Sequence, residues 1–474
     1  MNLNLLNNNT NFFYFFNASL VLLYFTYFPL CADVNYLMFS ASKVLDGFEM
    51  YREVDEINPP LIIILSMVPV YVSDLLHFEL KYMMLFFIFF LIYISYRMSK
   101  KIMSSSKIEN NTQTFLLFSI ITILMIVPMR EFGEREHLSV IFILPYILMM
   151  MFKNRVSLSR NFIIFIALFA AVGFNLKPYF FLIFFFIELA YFTQTKKITS
   201  LFRLETVIIS LSLFIYVAGI YLLFPAFFEV ALPRALAYKD VIFKVDVLKL
   251  LSMHLDVYLG FFTIILTLIY MKKESLDLKV LLALLSATLL IYLYQQKGWH
   301  YHILPYFMYS LLGLSYLFFV YMKHEHKIYM LVLFPMLISI LAENHYRNEY
   351  PQLNSILKKL DAYSKIIIVT SDIGQSQPLL VPNHQLWSAY SPTVSMLDVA
   401  IKKDDNALKD RIIQRVFQDI NSSKPKYVIF PNFENNFQYY DYFRERNREL
   451  EKYLEKYYEL NNDGNYQIFT RIEQ

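Results

Sequence analysis

A single cysteine, Cys31, stands among 474 residues, which excludes an internal disulfide and any cysteine-based metal cluster. Charged residues are scarce too, at 17% against about 25% in an ordinary globular domain. The N-terminus, MNLNLLNNNTN, holds no Lys or Arg and no small-residue cleavage site. The first apolar run is therefore expected to be retained rather than removed as a signal peptide. Leu30 ahead of Cys31 speaks against a lipoprotein. The net charge of +4 is small and sits in particular loops, so no nucleic-acid partner is expected. No Gly-rich loop follows the strand-like run IIIVTSD, so no nucleotide cofactor is expected either.

What the chain has is apolar length. Hydrophobic residues make up 57% of it and aromatic ones 18%. Many nearly uncharged windows are long enough to cross a hydrocarbon core of about 30 Å. The expected class is a polytopic α-helical membrane protein. Candidate spans are 12–30, 80–98, 114–130, 138–152, 161–176, 178–192, 204–225, 254–271, 278–294, 303–321 and 328–342. Excess Lys and Arg mark cytoplasmic loops. Five basic loops qualify: 97–107, 153–160, 196–203, 272–279 and 323–327.

These loops share one side only if the apolar run 59–76 does not cross. It is then an outer re-entrant or interfacial helix, begun by Pro59-Pro60 and interrupted by Pro69. That gives eleven spans, a cytoplasmic N-terminus and an extracytoplasmic C-terminus. Residues 1–344 form the expected transmembrane domain. Residues 345–474 alternate strand-like runs (IIIVTSD, YVIFPN, NYQIFTRI) with helical stretches at 402–419 and 437–459. That alternation suggests a small C-terminal α/β domain.

Four polar groups fall on the outer side in this topology. The first is Asp33, followed by an acidic segment read as a helix over 46–58 that contains Asp55 and Glu56. The second is the dense run Arg130 to His137, with Glu134, Arg135 and Glu136 inside it. The third is Lys177, and the fourth is Lys297 with His300 and His302. Ionisable groups near membrane depth are costly and point to function. A plainer account exists for each: Asp33 as a solvated helix end, the 131–137 charges as a salt-bridge net, Lys177 as a snorkelling cation. His300 and His302 alternate across Tyr301, which suits hydrogen bonding or phosphate contact better than a metal pair.

Together the four groups suit transfer of a sugar from a lipid phosphate. A carboxylate deprotonates the acceptor, and Lys, Arg or protonated His holds the leaving phosphate.

The order Asp33, Tyr36, Ala41, Leu45-Asp46-Gly47-Phe48, Tyr51, Glu56, Asn58-Pro59-Pro60-Leu61 resembles the GT-C glycosyltransferases. It is most similar to the superfamily of protein O-mannosyltransferases and lipid A aminoarabinose transferases. Gly133-Glu134-Arg135-Glu136-His137-Leu138, ending in Leu144-Pro145-Tyr146, is similar to the second outer-loop motif of bacterial members. The resemblance covers residues 1 to about 340.

It implies a GT-C type hexosyl- or pentosyltransferase with Asp33 as catalytic base and a polyprenyl-phosphate sugar as donor. The acceptor is implied to be an envelope glycan, a lipid or a protein. Asp55, Glu56, Glu134, Arg135, Glu136, His137, Lys177, Lys297, His300 and His302 are implied to contact donor or acceptor. Some branches of the class need a divalent cation and others none, so the metal stays open. Many mannosyltransferases carry an Asp-Glu pair after the first span, whereas Val34 follows Asp33 here, which leaves the acceptor class open. The alternative from another class is a transporter or flippase of a lipid-linked saccharide, which internal repeats would favour; the sequence shows none. Richness in Asn, Ile, Lys and Phe suggests an AT-rich bacterial genome and an inner or plasma membrane.

Overall fold

The computed structural model describes residues 3–106, 108–241, 244–321, 350–372, 375, 386–389, 394, 396–432 and 438–472. The expected span 328–342 and the basic loop 323–327 lie outside them, as does Lys107. In chain order the first helices are α1 (Leu3–Tyr27), α2 (Ala32–Leu45), α3 (Leu61–Leu76), α4 (Leu80–Ser104) and α5 (Asn110–Met125). Then come α6 (Arg135–Met151), α7 (Arg160–Asn175), α8 (Phe181–Thr195), α9 (Leu204–Leu223) and α10 (Leu232–Val241). The helical region closes with α11 (Val247–Met253), α12 (Leu255–Tyr270), α13 (Leu276–Gln295) and α14 (His300–Tyr316).

The chain divides into two compact units. The first comprises Met1–Phe28, Pro59–Leu223 and Phe243–His345; the second comprises Pro29–Asn58, Phe224–Ile242 and Tyr346–Gln474. The second unit thus draws two earlier segments to the C-terminal residues.

In the first unit, α6 is the central helix: every residue from Arg135 to Met151 is buried. It packs against α4 and α7, while α8 packs on α13 and α12 on α14. Glycines sit at two close approaches. A Cβ at Gly260 on α12 would sit 2.1 Å from the Tyr306 ring on α14. At Gly173 on α7 it would meet Ile143 and Phe142 of α6 at 2.8 Å. Small residues at such crossings let helix backbones approach closely. Gly260→Ala is accordingly expected to cost about 1–3 kcal/mol through overpacking, read as a lower midpoint of thermal unfolding in detergent. An unchanged midpoint would contradict the tight crossing.

The outer helices invert the usual rule for water. On α9, Phe214 is 71% and Leu223 75% exposed. So large an apolar face is a liability in water and natural in lipid. Among the described residues, five helices are long and apolar enough to cross a membrane, or up to seven if the bent pairs Thr10–Tyr27 with Ala32–Leu45 and Val247–Met253 with Leu255–Tyr270 each count as one. That is fewer than the eleven expected, one of which (328–342) lies outside the described residues. For several others the reason is length. Among the expected spans, α5, α7 and α12 have 16 residues and α6 has 17, or roughly 24–26 Å of helix against a core of about 30 Å.

Two expectations change near the first polar segment. Residues 61–76 form a single helix that runs through Pro69 without interruption and ends in left-handed geometry at His77. The helix expected over 46–58 is absent. The helical segment is α2, which begins before Asp33, and residues 46–58 form a compact turn. Gly47 follows the last turn of α2 with φ +95°, the backbone state in which glycine ends a helix without a Cβ penalty. Lys177 separates α7 from α8, as expected, and the two helices have different partners: α7 lies on α6 and α9, α8 on α13.

The second unit contains α2 and α10, then α15 (Pro351–Lys359), β1 (Lys365–Ile368), β2 (Leu386–Trp387), α16 (Met396–Lys402) and α17 (Asn406–Ser423). It ends with β3 (Tyr427–Pro431), α18 (Tyr439–Arg446), α19 (Arg448–Tyr457), β4 (Tyr458–Asp463) and β5 (Tyr466–Arg471). The sheet order is β2-β1-β3-β5-β4, with β2, β1 and β3 parallel and β5 antiparallel to β3 and β4. Period-two alternation gives the sheet two buried faces. Ile367, Val428, Phe430 and Phe469 face one core, and Ile366, Ile368, Ile429 and Ile468 the other. Helices on both faces of a largely parallel sheet define an α/β layer structure.

Three of the five strands, β1, β3 and β5, fall at the expected runs, while β2 and β4 lie outside them. The helix expected over 437–459 divides, because the Asn447 side chain accepts from the amides of Glu449 (3.1 Å) and Leu450 (3.0 Å) and starts a second helix. Tyr458 onward is strand rather than helix, paired with β5 through a two-residue turn at Gly464-Asn465. Gly464 holds φ +58° there, as such hairpin turns demand.

Candidate functional site

In the first unit, polar residues gather around Lys177. The approach to α6 is a 3-10 turn (Met129–Glu131), then Gly133 with φ +91°, then Glu134 as the helix N-cap. This chain path turns Arg135, Glu136 and His137 inward, all buried. The Lys177 ammonium pairs with Glu136 Oε1. It also lies 5.6 Å from the ring centre of Tyr179 and 5.5 Å from that of Tyr301. Burial lowers the Lys177 pKa and the Arg135 charge adds to this, while Glu136 opposes both. Tyr179 donates to Gln295 Oε1 at 2.8 Å. His302 lies within electrostatic reach of Lys177, Arg135 and Lys297.

Glu136 Oε2, His302 Nδ1 and Gln295 Nε2 in this group lack hydrogen-bond partners among the described residues. Their residues are each 9% exposed or less. Buried polar atoms are nearly always paired in folded proteins, so such a concentration suits a polar ligand. Arg135, Lys177, His302 and Gln295 supply donors, the complement of a phosphate.

His300, two residues before His302 on α14, is held differently. Its Nδ1 lies 3.2 Å from Glu131 Oε1 and its Nε2 3.0 Å from Asp256 Oδ2. Two carboxylates clamp one imidazole. His254 stands beside it, its Nε2 3.1 Å from the Gly298 carbonyl. The alternation of His300 and His302 therefore does separate their roles, in a helix rather than in an extended segment. His137 is occupied by backbone: it accepts from the Gly133 amide at 3.1 Å, and its Nε2 lies 2.8 Å from the Leu124 carbonyl. With one ring nitrogen accepting, the other carries the proton, so His137 is neutral and holds the loop.

The second unit holds Asp33, Asp55 and Glu56. Asp33 sits half-buried in the first turn of α2, where free amide groups favour negative charge. Tyr36, one turn on, donates to the Asp55 carbonyl, and the three carboxylates all lie within electrostatic reach of its phenol. Asp55 Oδ1 is 3.1 Å from Arg234 Nη1 of α10. Burial raises the Asp55 pKa and Arg234 opposes the rise. Glu56 is turned onto its own loop, its Oε1 accepting from Ile57 N (2.8 Å), Asn58 N (2.7 Å) and Asn58 Nδ2 (2.6 Å). Glu56 thus organises the turn, whereas Asp55 lines a cavity.

Sequence reasoning missed Asp256, His254, Tyr179, Gln295 and Arg234. Asp256 had a signal: it is an acidic residue at the start of an apolar run, a placement that by itself suggests function. Arg234 had none, because its partner Asp55 is 179 residues away. Among the described residues, no group of three or more His, Cys, Asp or Glu side chains is placed to hold a metal ion.

The fold defines a helical membrane protein whose second unit carries an α/β sheet. No family model matches the chain, and no curated protein matches it either.

Proposed function

We propose that this protein is a membrane glycosyltransferase that moves a sugar from a polyprenyl-phosphate donor to an acceptor on the outer face of a bacterial inner or plasma membrane. The observation that carries the proposal is the buried donor set around Lys177, with unpartnered nitrogens on His302 and Gln295. A sugar-phosphate linkage leaving from a lipid carrier needs such neutralisation at low dielectric. The proposal retains eleven spans, with the shorter helices crossing where the bilayer thins to meet them. It also retains a cytoplasmic N-terminus and an extracytoplasmic α/β domain.

In the reaction the acceptor hydroxyl attacks the anomeric carbon and its proton passes to the Asp33 carboxylate. The bond between the anomeric carbon and the phosphate oxygen breaks, and its electron pair stays on the phosphate. Within the first unit, Arg135, Lys177 and His302 are the donors suited to such a charge. The Glu131–His300–Asp256 clamp fixes the start of α14 and thereby the position of His302. Asp33 is assigned as base ahead of Glu56 because three donors already occupy one Glu56 oxygen.

Mass spectrometry of a deletion strain tests the proposal. The expected result is loss of one sugar from an envelope glycan, lipid or protein, with build-up of the polyprenyl-phosphate sugar. Purified protein in liposomes is then expected to release polyprenyl phosphate from that donor when acceptor is added. Unchanged envelope sugars in the deletion strain, or no release by the purified protein, would sink it.

A further inference from the structure

The second unit contains a cavity of about 170 Å³. It is below the roughly 300–1,000 Å³ of drug-sized sites, which suits one small ring with its substituent. Its place follows a general rule, since ligands of α/β sheets bind beyond the carboxyl ends of parallel strands. Val369, just after β1, and Trp387, the last residue of β2, both line it.

The lining combines an apolar floor with an unusual density of arginine. Arg52, Arg234, Arg411 and Arg415 all border it, against Glu53, Asp55 and Asp419. The helical repeat explains part of this. On α17, Leu408, Arg411, Ile412, Arg415 and Asp419 recur at three- and four-residue spacing and so share one face. Most of the charges are already matched. Arg234 pairs with Asp55 at 3.1 Å, Arg415 with Asp419 at 3.6 Å, and Arg52 with Glu49 and Glu229 at 2.8 and 2.6 Å. Arg411 has no carboxylate partner among the described residues. Arg411 is thus the cation left for an anionic group of a ligand, and its planar guanidinium fork fits phosphate or carboxylate. The indole of Trp387 and the aliphatic wall of Ile367, Val369 and Ile412 offer an apolar surface for the body of that ligand.

We propose that this cavity binds a small anionic saccharide, a sugar bearing a phosphate or a carboxylate. The anion meets Arg411 and Arg415, and the face of the ring meets Trp387. Asp55 joins the cavity to the Asp33 and Tyr36 cluster of the same unit. If the transferase proposal holds, the bound saccharide is the acceptor. That role rests on the transferase proposal, whereas the binding itself does not.

The test uses full-length protein in detergent with Trp299→Phe, which leaves Trp387 as the only tryptophan. Its emission is followed during titration with glucose 6-phosphate, glucuronate, glucose and inorganic phosphate. Saturable binding of glucose 6-phosphate or glucuronate, at least tenfold tighter than glucose and tighter than inorganic phosphate, is the expected result. The sugar that binds tighter identifies the anion. Arg411→Glu with Arg415→Glu is expected to weaken that binding at least tenfold. A lowered midpoint directs the same titration to Arg411→Gln alone, where at least a threefold loss is expected. Equal binding of glucose, equal binding of inorganic phosphate, no saturable binding, or undiminished binding by the variants would each overturn the proposal. Because emission reports binding alone, an inactive transferase would leave this result standing.

Discussion

Asp33→Asn is expected to slow sugar transfer by about 10²–10⁴-fold, the usual contribution of a general base. The substitution keeps the size of the side chain and its capacity to accept a hydrogen bond, but a carboxamide takes up no proton. Asp33 is half-buried at a helix start, so expression and thermal midpoint are expected to hold. The measurement is the initial rate of transfer from a polyprenyl-phosphate sugar in membranes matched for protein amount. Wild-type rates in the variant would remove Asp33 from the mechanism and leave Asp55 as the next carboxylate to examine. Glu56→Gln provides the contrast. Glu56 holds three donors of its own loop, so that change is expected to act on stability before it acts on rate.

The second large effect concerns the buried pair of Lys177 and Glu136. Their side chains are 7% and 0% exposed. Removing one member of such a pair leaves a charge without compensation, at a typical cost of about 3–5 kcal/mol. Lys177→Met is therefore expected to lower the thermal midpoint in detergent markedly. Adding Glu136→Gln removes the stranded carboxylate and is expected to restore much of the loss. Transfer should not recover with it, because a donor to the phosphate is still missing. Recovery of both together would make Lys177 a purely structural residue, and no change in midpoint for Lys177→Met would place the pair in water.

Much of the architecture was legible because it rests on local periodicity. Apolar length located the helices, and runs of β-branched residues located β1, β3 and β5. The failures have local causes too. Residues 46–58 carry helix-forming carboxylates, but Gly47 with φ +95° and Tyr51 with φ +74° turn the chain instead. Pro69 is tolerated inside α3, although the sequence suggested a break there. The split at Asn447 follows from one side chain capping the next helix.

The polar site was only half legible. Glu134, Arg135, Glu136, Lys177 and His302 could be named because charges in an apolar chain are conspicuous. Their division of labour could not, since composition does not tell a histidine clamped by Asp256 and Glu131 from one with an unpartnered nitrogen.

By itself the sequence determined that the chain belongs in a membrane, where most of its apolar helices lie, where β1, β3 and β5 form, and which residues carry charge where charge is costly. Those are properties of neighbours along the chain, set by hydropathy and by repeats of two or 3.6 residues. Only the tertiary structure decided which charges meet. It gathered Pro29–Asn58, Phe224–Ile242 and the C-terminal residues into one unit, paired Arg234 with Asp55, and lined one cavity with four arginines. Contacts between residues far apart in sequence depend on packing of whole elements, and no local pattern encodes them.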